Sequence, residues 1–177
     1  MASKLTDKEL TEEVLQKEWS YIKKGESKTR ITTSNVNICT AFYGSDEDNN
    51  IAFMCHFDLP GSEKKALLDI FELINKNNIS KNKLITCYLD GGYQYTYSQW
   101  VRNRIKKEIK KLNDAGWNIK LISLSYNKIL HGKGVSYNLK TKTIAPYPIP
   151  PQYRKKRLKL NFFHLLFGSA KCSKGID

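Results

Sequence analysis

Three histidines and four cysteines occur in this 177-residue chain, and Cys39 and His56 are set almost symmetrically about one acidic segment, "GSDEDN". Cys39 lies 8 residues before Glu47, and His56 lies 8 residues after Asp48. If the runs on either side pair as a hairpin centred there, Cys39 stands directly opposite His56. Their Cβ atoms would then be roughly 4.5–5.5 Å apart on one face of the sheet. The same register pairs Ala41 with Met54 and Tyr43 with Ala52, an apolar floor beside the couple. A slip of one residue would send His56 to the other face. A thiol in that position can do nucleophilic chemistry. A neighbouring imidazolium stabilises the thiolate and draws its pKa below the free-thiol value of about 8.5. The imidazole can afterwards return the proton to a leaving amine. A third group must hold the ring in one tautomer, and the preceding "ITTS" offers Thr32, Thr33 and Ser34. The plain alternative is that Cys39 is a small apolar filler on a strand.

The elements that would position these residues read as follows. Residues 6 to 24 carry a capping box, Thr6 with Glu9, and an apolar stripe of Leu10, Val14, Leu15, Trp19 and Ile22, which predicts a helix closed by Gly25. Residues 28 to 34 predict a short strand. Residues 37 to 43 and 50 to 57 predict the hairpin that bears Cys39 and His56. "PGSEKKALLDIFELINKN" predicts an amphipathic helix capped by Ser62. "KLITCYLDGG" predicts a strand over 83 to 92, and Ser98 is expected to cap a helix that ends at Gly116. "WNIKLISLSYN" predicts a further strand. "GVSYNLKTKTIAPY" predicts a hairpin turning near Lys140 and Thr141. Pro146, Pro148, Pro150 and Pro151 then interrupt regular structure. Strands and helices mix without strict alternation, so the predicted class is α+β. The expected division is an N-terminal helix over 1–27, a main domain over 28–148, and a Pro-rich linker with a basic and apolar tail over 149–177.

Composition bounds the function. The apolar share of 40% is that of a globular chain able to bury a core, and the length suits one domain plus a tail. Thirty basic against 17 acidic residues give a net charge of +13, which favours an acidic partner or simply paints a basic surface. Cys39, Cys55, Cys87 and Cys172 lack the C-x-x-C spacing of a zinc site. The start, "MASKLTDKELTEE", has no apolar core segment of a signal peptide, so unbridged thiols in a reducing compartment are expected. No apolar run reaches membrane-spanning length.

The segment "MCHFDLP", Met54 to Pro60, resembles the Gly-Met-x-His-x-x-Leu-Pro stretch of the bacterial chemoreceptor glutamine deamidases, the CheD family. The 17-residue step from Cys39 to His56 is similar to that family's, and Thr33 stands six residues before the cysteine, where the family has a threonine. "YLDGG", "VRNRIKKEIKKLNDAGWNIKLISLS" and "GKGVSYNLKTKTI" resemble its later elements. The likeness runs over roughly residues 28 to 147. It implies a layered fold, a mixed sheet or sandwich with two packed helices, flanked here by the N-terminal helix and the basic tail. It further implies a Cys–His–Thr hydrolase that converts a protein glutamine to glutamate, an architecture shared with the cytotoxic necrotizing factors and Burkholderia lethal factor. In that reading Cys39 is the nucleophile, His56 the base and then the acid, and Thr33 the group orienting His56. Neither metal nor organic cofactor is implied. Asn37-Ile38 stand where the family usually has Gly-Ser, which points to a rebuilt mouth and a different protein substrate. The partner implied is a glutamine-bearing protein with an acidic surface. It would be met in the bacterial cytoplasm as a chemoreceptor, or in a host cell as the target of a delivered effector.

Two other functions compete with deamidation: a non-enzymatic protein-binding module on the same scaffold, and a nucleic-acid binder working through the basic cluster "YRKKRLK", Tyr153 to Lys159. "LNFFHLLFG" after it reads as an amphipathic segment that folds back on the domain. "GYQYTYSQW" gathers aromatics without any RNA-binding motif, Gly91-Gly92 lacks a phosphate-loop spacing, and "GSDEDNN" lacks the frame of a calcium loop.

Overall fold

The computed structural model describes residues 10–34, 36, 39–48, 50–93, 97–124, 134–146 and 171–173. Among these, ten strands and two helices occur: β1 (Thr11–Val14), β2 (Glu18–Lys23), β3 (Arg30–Thr33), β4 (Thr40–Asp46), β5 (Ile51–Phe57), α1 (Glu63–Lys76), β6 (Leu84–Gly91), α2 (Tyr97–Asp114), β7 (Asn118–Ser123), β8 (Val135–Asn138), β9 (Thr143–Pro146) and β10 (Lys171–Cys172). The class is α+β. One sheet has the order β1-β3-β8-β9, the other β10-β2-β5-β4-β6-β7.

Side-chain alternation on β4 and β5 builds three layers. Phe42 on β4 and Ile51, Phe53, Cys55 and Phe57 on β5 pack with Leu67, Ile70, Phe71 and Ile74 of α1 and with Val101, Ile105 and Ile109 of α2. Ala41, Tyr43, Ala52 and Met54 point the other way, onto Val14, Ile31, Val135 and Tyr137 of the smaller sheet. Both strands are therefore buried on both faces, which is why their sequences are rich in apolar residues, with Thr40, Ser45, Asp46 and His56 as buried polar exceptions. Each fully buried Phe or Leu contributes roughly 1.5–3 kcal/mol relative to exposure. Ser45 on β4 and Tyr137 on β8 add a hydroxyl–hydroxyl bond of 2.6 Å between the two sheets.

The register of the β4–β5 hairpin differs by two residues from the expected one. Ala41 pairs with His56, Tyr43 with Met54 and Ser45 with Ala52. The cause is Asp46, whose carboxylate accepts from Ile51 N–H at 2.9 Å and from the Asn50 amide at 2.9 Å. Those bonds close the loop after Asp46, so Gly44, Ser45 and Asp46, expected in the turn, extend β4. Gly44 is required there because a Cβ would collide with the Thr86 carbonyl oxygen of β6. A shift of two preserves the facing of each ladder residue, so His56 stays on the side of Ala41 and Tyr43.

Among the described residues the expected N-terminal helix is absent. Residues 11–23 form β1 and β2, joined by a tight turn in which Lys17 takes φ 60. The apolar stripe misled because its members divide between layers: Val14 of the small sheet and Ile22 of the large one meet between the sheets, whereas Trp19 packs with the helices. Glu12, a polar position inside β1, is held by Ser20 Oγ at 2.8 Å and by Lys28 Nζ. β1 pairs with β3 and β2 pairs with β5, so the expected boundary near residue 27 is no seam. Thr6 and Glu9 lie outside the described residues. So does most of the tail, including "YRKKRLK" and "LNFFHLLFG", but Lys171–Cys172 returns to pair with β2.

The helices begin close to their expected starts but are secured differently. Ser62 stands at the N-cap of α1 without a side-chain cap bond, and the Glu63 carboxylate instead accepts from Gly61 N–H at 2.8 Å. α2 begins at Tyr97, and Ser98 Oγ engages the Tyr93 backbone at N and O rather than a cap position. Gly116 at φ 92 ends the turn after α2. The late hairpin turns over residues 139–142 as expected, and Asn138 Oδ1 accepts from Lys140 and Thr141 N–H.

Candidate active site

His56 is on β5, 2% exposed, and its ring points into the space between the two sheets with Met54 and Ala52. Thr33 ends β3 on the opposing sheet. Its Oγ1 lies 2.7 Å from His56 Nδ1 and donates to the Val14 carbonyl oxygen at 2.7 Å. A hydroxyl has one proton, and a carbonyl oxygen can only accept. Thr33 must therefore spend its proton on Val14 and accept from Nδ1–H. That arrangement assigns the imidazole tautomer: the proton sits on Nδ1, and Nε2 carries the lone pair. Of the three hydroxyls before the cysteine, Thr32 is occupied elsewhere, donating to the Val135 carbonyl oxygen at 2.8 Å. Strand alternation decides between them, since Thr33 shares its facing with Ile31, which packs onto the larger sheet.

Cys39 immediately precedes β4 and is 5% exposed. The β4–β5 ladder ends at Thr40–Phe57, one residue after Cys39, so the expected direct opposition of Cys39 and His56 does not form: His56 stands across from Ala41. The backbone at Cys39 is pressed from behind by β6. Gly91 adopts φ 76, and a Cβ there would collide with Val36 Cγ1 and stand 3.0 Å from the Cys39 carbonyl oxygen. Arg102 of α2, 1% exposed, holds that strand end. It donates to the Gly91 carbonyl oxygen at 2.8 Å, to Ser123 Oγ at 2.8 Å, and to the Leu124 carbonyl oxygen.

The turn between β1 and β2 brings two residues, Gln16 and Lys17, that the sequence did not single out. Gln16 Nε2 donates to Asp58 Oδ2 at 3.2 Å and approaches Cys39 Sγ at 3.9 Å. Lys17 N–H donates to the carbonyl oxygen of His56 itself at 3.0 Å, and Lys17 Nζ stands 3.9 Å from Asp58 Oδ1. Their only signal in the sequence was polarity on a stripe assigned to a helix. Among the described residues no group of three or more His, Cys, Asp or Glu side chains could hold a metal ion. No disulfide joins the four cysteines, and burial pushes the Cys55 and Cys87 thiols well up.

Burial raises the Asp58 carboxyl above its ordinary range, against the opposing pull of Lys17, the Leu59 N–H and Gln16. A raised folded-state pKa means that the Asp58 contribution to stability is fully present below the unfolded carboxylate value and is lost as pH rises through the folded one. Urea denaturation of wild type and Asp58→Asn across acid to neutral pH should therefore show the wild type gaining on the variant as pH falls. At neutral pH the variant should be at least as stable. A wild-type advantage that grows toward neutral pH would contradict this.

Comparison with protein-family models and with curated proteins gives no match to this chain. Among the described residues no helix is long and apolar enough to cross a membrane.

Proposed function

We propose that this chain is a cysteine-dependent protein glutamine deamidase with Cys39 as nucleophile, His56 as general base and then acid, and Thr33 as the orienting group. The observation that carries this reading is the relay Val14–Thr33–His56, because it leaves the basic nitrogen of His56 as Nε2. A general base needs a lone pair on a ring held in one tautomer, and a merely packed histidine has no need of a two-step lock. Cys39, one residue before β4, supplies a thiol, a group that forms acyl intermediates readily at neutral pH. Its sulfur adds to the carboxamide carbon of the substrate glutamine. The amine leaves as ammonia with a proton from His56, and a thioester remains. Water, deprotonated by His56, then cleaves the thioester to glutamate and restores the thiol. The +13 charge favours a protein substrate with an acidic surface.

The test is intact-mass and peptide analysis of glutamine-rich proteins, unfolded casein first, after incubation with the full chain. The expected result is glutamine converted to glutamate with ammonia released, and both lost after the enzyme is alkylated with iodoacetamide. Conversion that survives complete alkylation of Cys39 would remove the reading.

A further inference from the structure

We propose that the Gln16 side-chain amide is the hydrogen-bond donor to negative charge at Cys39, first on the sulfur and then on the oxygen of the adduct formed there. The second half of this assignment rests on the deamidase reading of the site.

The orientation of the amide is fixed by its neighbours. The Asp58 carboxylate is an acceptor 3.2 Å from Gln16 Nε2, and it would repel Oε1 in that place. The nitrogen therefore faces both Asp58 and the sulfur. It carries two hydrogens, one for the carboxylate and one directed at Sγ, 3.9 Å away. A bond of that length to a neutral thiol is weak. It tightens when the acceptor becomes an anion, because charge-assisted bonds are shorter and about twice as strong.

The turn that carries Gln16 is held rather than loose. Glu18 N–H donates to the Leu15 carbonyl oxygen at 3.0 Å, Leu15 N–H to Glu18 Oε2 at 3.2 Å, and Lys17 N–H to the His56 carbonyl oxygen at 3.0 Å. The last bond ties the donor to the backbone of the general base, so the two are positioned together. When Sγ adds to the carboxamide carbon, the carbonyl π pair moves onto oxygen. That oxygen is two bonds from the sulfur, inside the region Gln16 already addresses. On collapse the pair returns to re-form C=O, the C–N bond breaks, and ammonia leaves with the proton from His56.

The experiment compares full-length wild type with Gln16→Leu and Gln16→Met, the latter keeping side-chain length if the former misfolds. Thermal midpoints are recorded for each. The first readout is the rate of Cys39 alkylation by iodoacetamide against pH, which needs no substrate. Loss of the donor should slow alkylation about tenfold at neutral pH and displace the profile upward. The second is ammonia release from unfolded casein, where kcat should fall about a hundredfold with KM within about threefold. An alkylation profile identical to wild type in folded Gln16→Met would overturn the assignment, as would unchanged kcat. Gln16-dependent alkylation in an enzyme that releases no ammonia would keep the donor to sulfur and remove the glutamine reading instead.

Discussion

Replacing Cys39 with serine, or His56 with alanine, should each slow glutamine conversion at least about a thousandfold. Serine keeps the volume and the position but not the acidity of the thiol, so Nε2 of His56 faces a far harder deprotonation. Alanine at 56 removes the base outright and leaves Thr33 and Val14 with one partner fewer. The double variant should be about as slow as either single one, because members of one relay do not add. A second measurement separates chemistry from folding. In the wild type, iodoacetamide should reach Cys39 much faster than Cys55 and Cys87, which lie fully buried with thiols pushed up by that burial. His56→Ala, with its urea midpoint checked, should abolish the advantage. Equal labelling of Cys39 and Cys87 in the wild type would sink the dyad, and full activity in either single variant would do the same.

Gly91→Ala should destabilise the protein by about 3 kcal/mol. The left-handed backbone alone costs a non-glycine residue roughly 1–2 kcal/mol. Overpacking adds roughly 1–3 kcal/mol, since the new methyl collides with Val36 and crowds the carbonyl of Cys39. Gly25→Ala provides the control. Gly25 has φ 93 but open space around the Cβ position, so only the backbone cost applies. Chemical denaturation of the two variants should place Gly91→Ala well below Gly25→Ala. Equal losses would mean that the close approach of β6 to Cys39 is not a real constraint. Since Arg102 grips the same strand end, any Gly91→Ala protein that does fold should also show altered Cys39 alkylation.

The central hairpin was legible because both its strands are rich in apolar residues and its turn is dense in polar ones. Its register was not, because the turn residue that closes it, Asp46, acts through its own carboxylate, and composition does not reveal which of several acidic residues will do so. An even shift preserves facing, so His56 keeps the expected side of the sheet, but its direct partner is Ala41 rather than Cys39. Thr33 was one of three hydroxyls by sequence, with only the family resemblance to single it out. In the fold, the alternation of β3 turns it toward His56 and turns Thr32 toward Val135. The N-terminal segment failed outright. Leu10, Val14, Leu15, Trp19 and Ile22 fit a helical period, but two short strands sharing a tight turn fit the same letters. Tertiary pairing with β3 and β5 overrode the local pattern. Gln16 and Lys17 were invisible for the same reason, since their importance exists only once that turn is folded.

The strand bearing Thr33 has one ladder partner 19 residues upstream, at Val14, and another 102 residues downstream, at Val135. A chain emerging from the ribosome thus has Cys39 and His56 many seconds, at about 5–20 residues per second, before it has the strand that completes the sheet behind Thr33. Two paired strands are marginal by themselves. On the proposed reading, reactivity at the sulfur is accordingly expected only once β8 has been made.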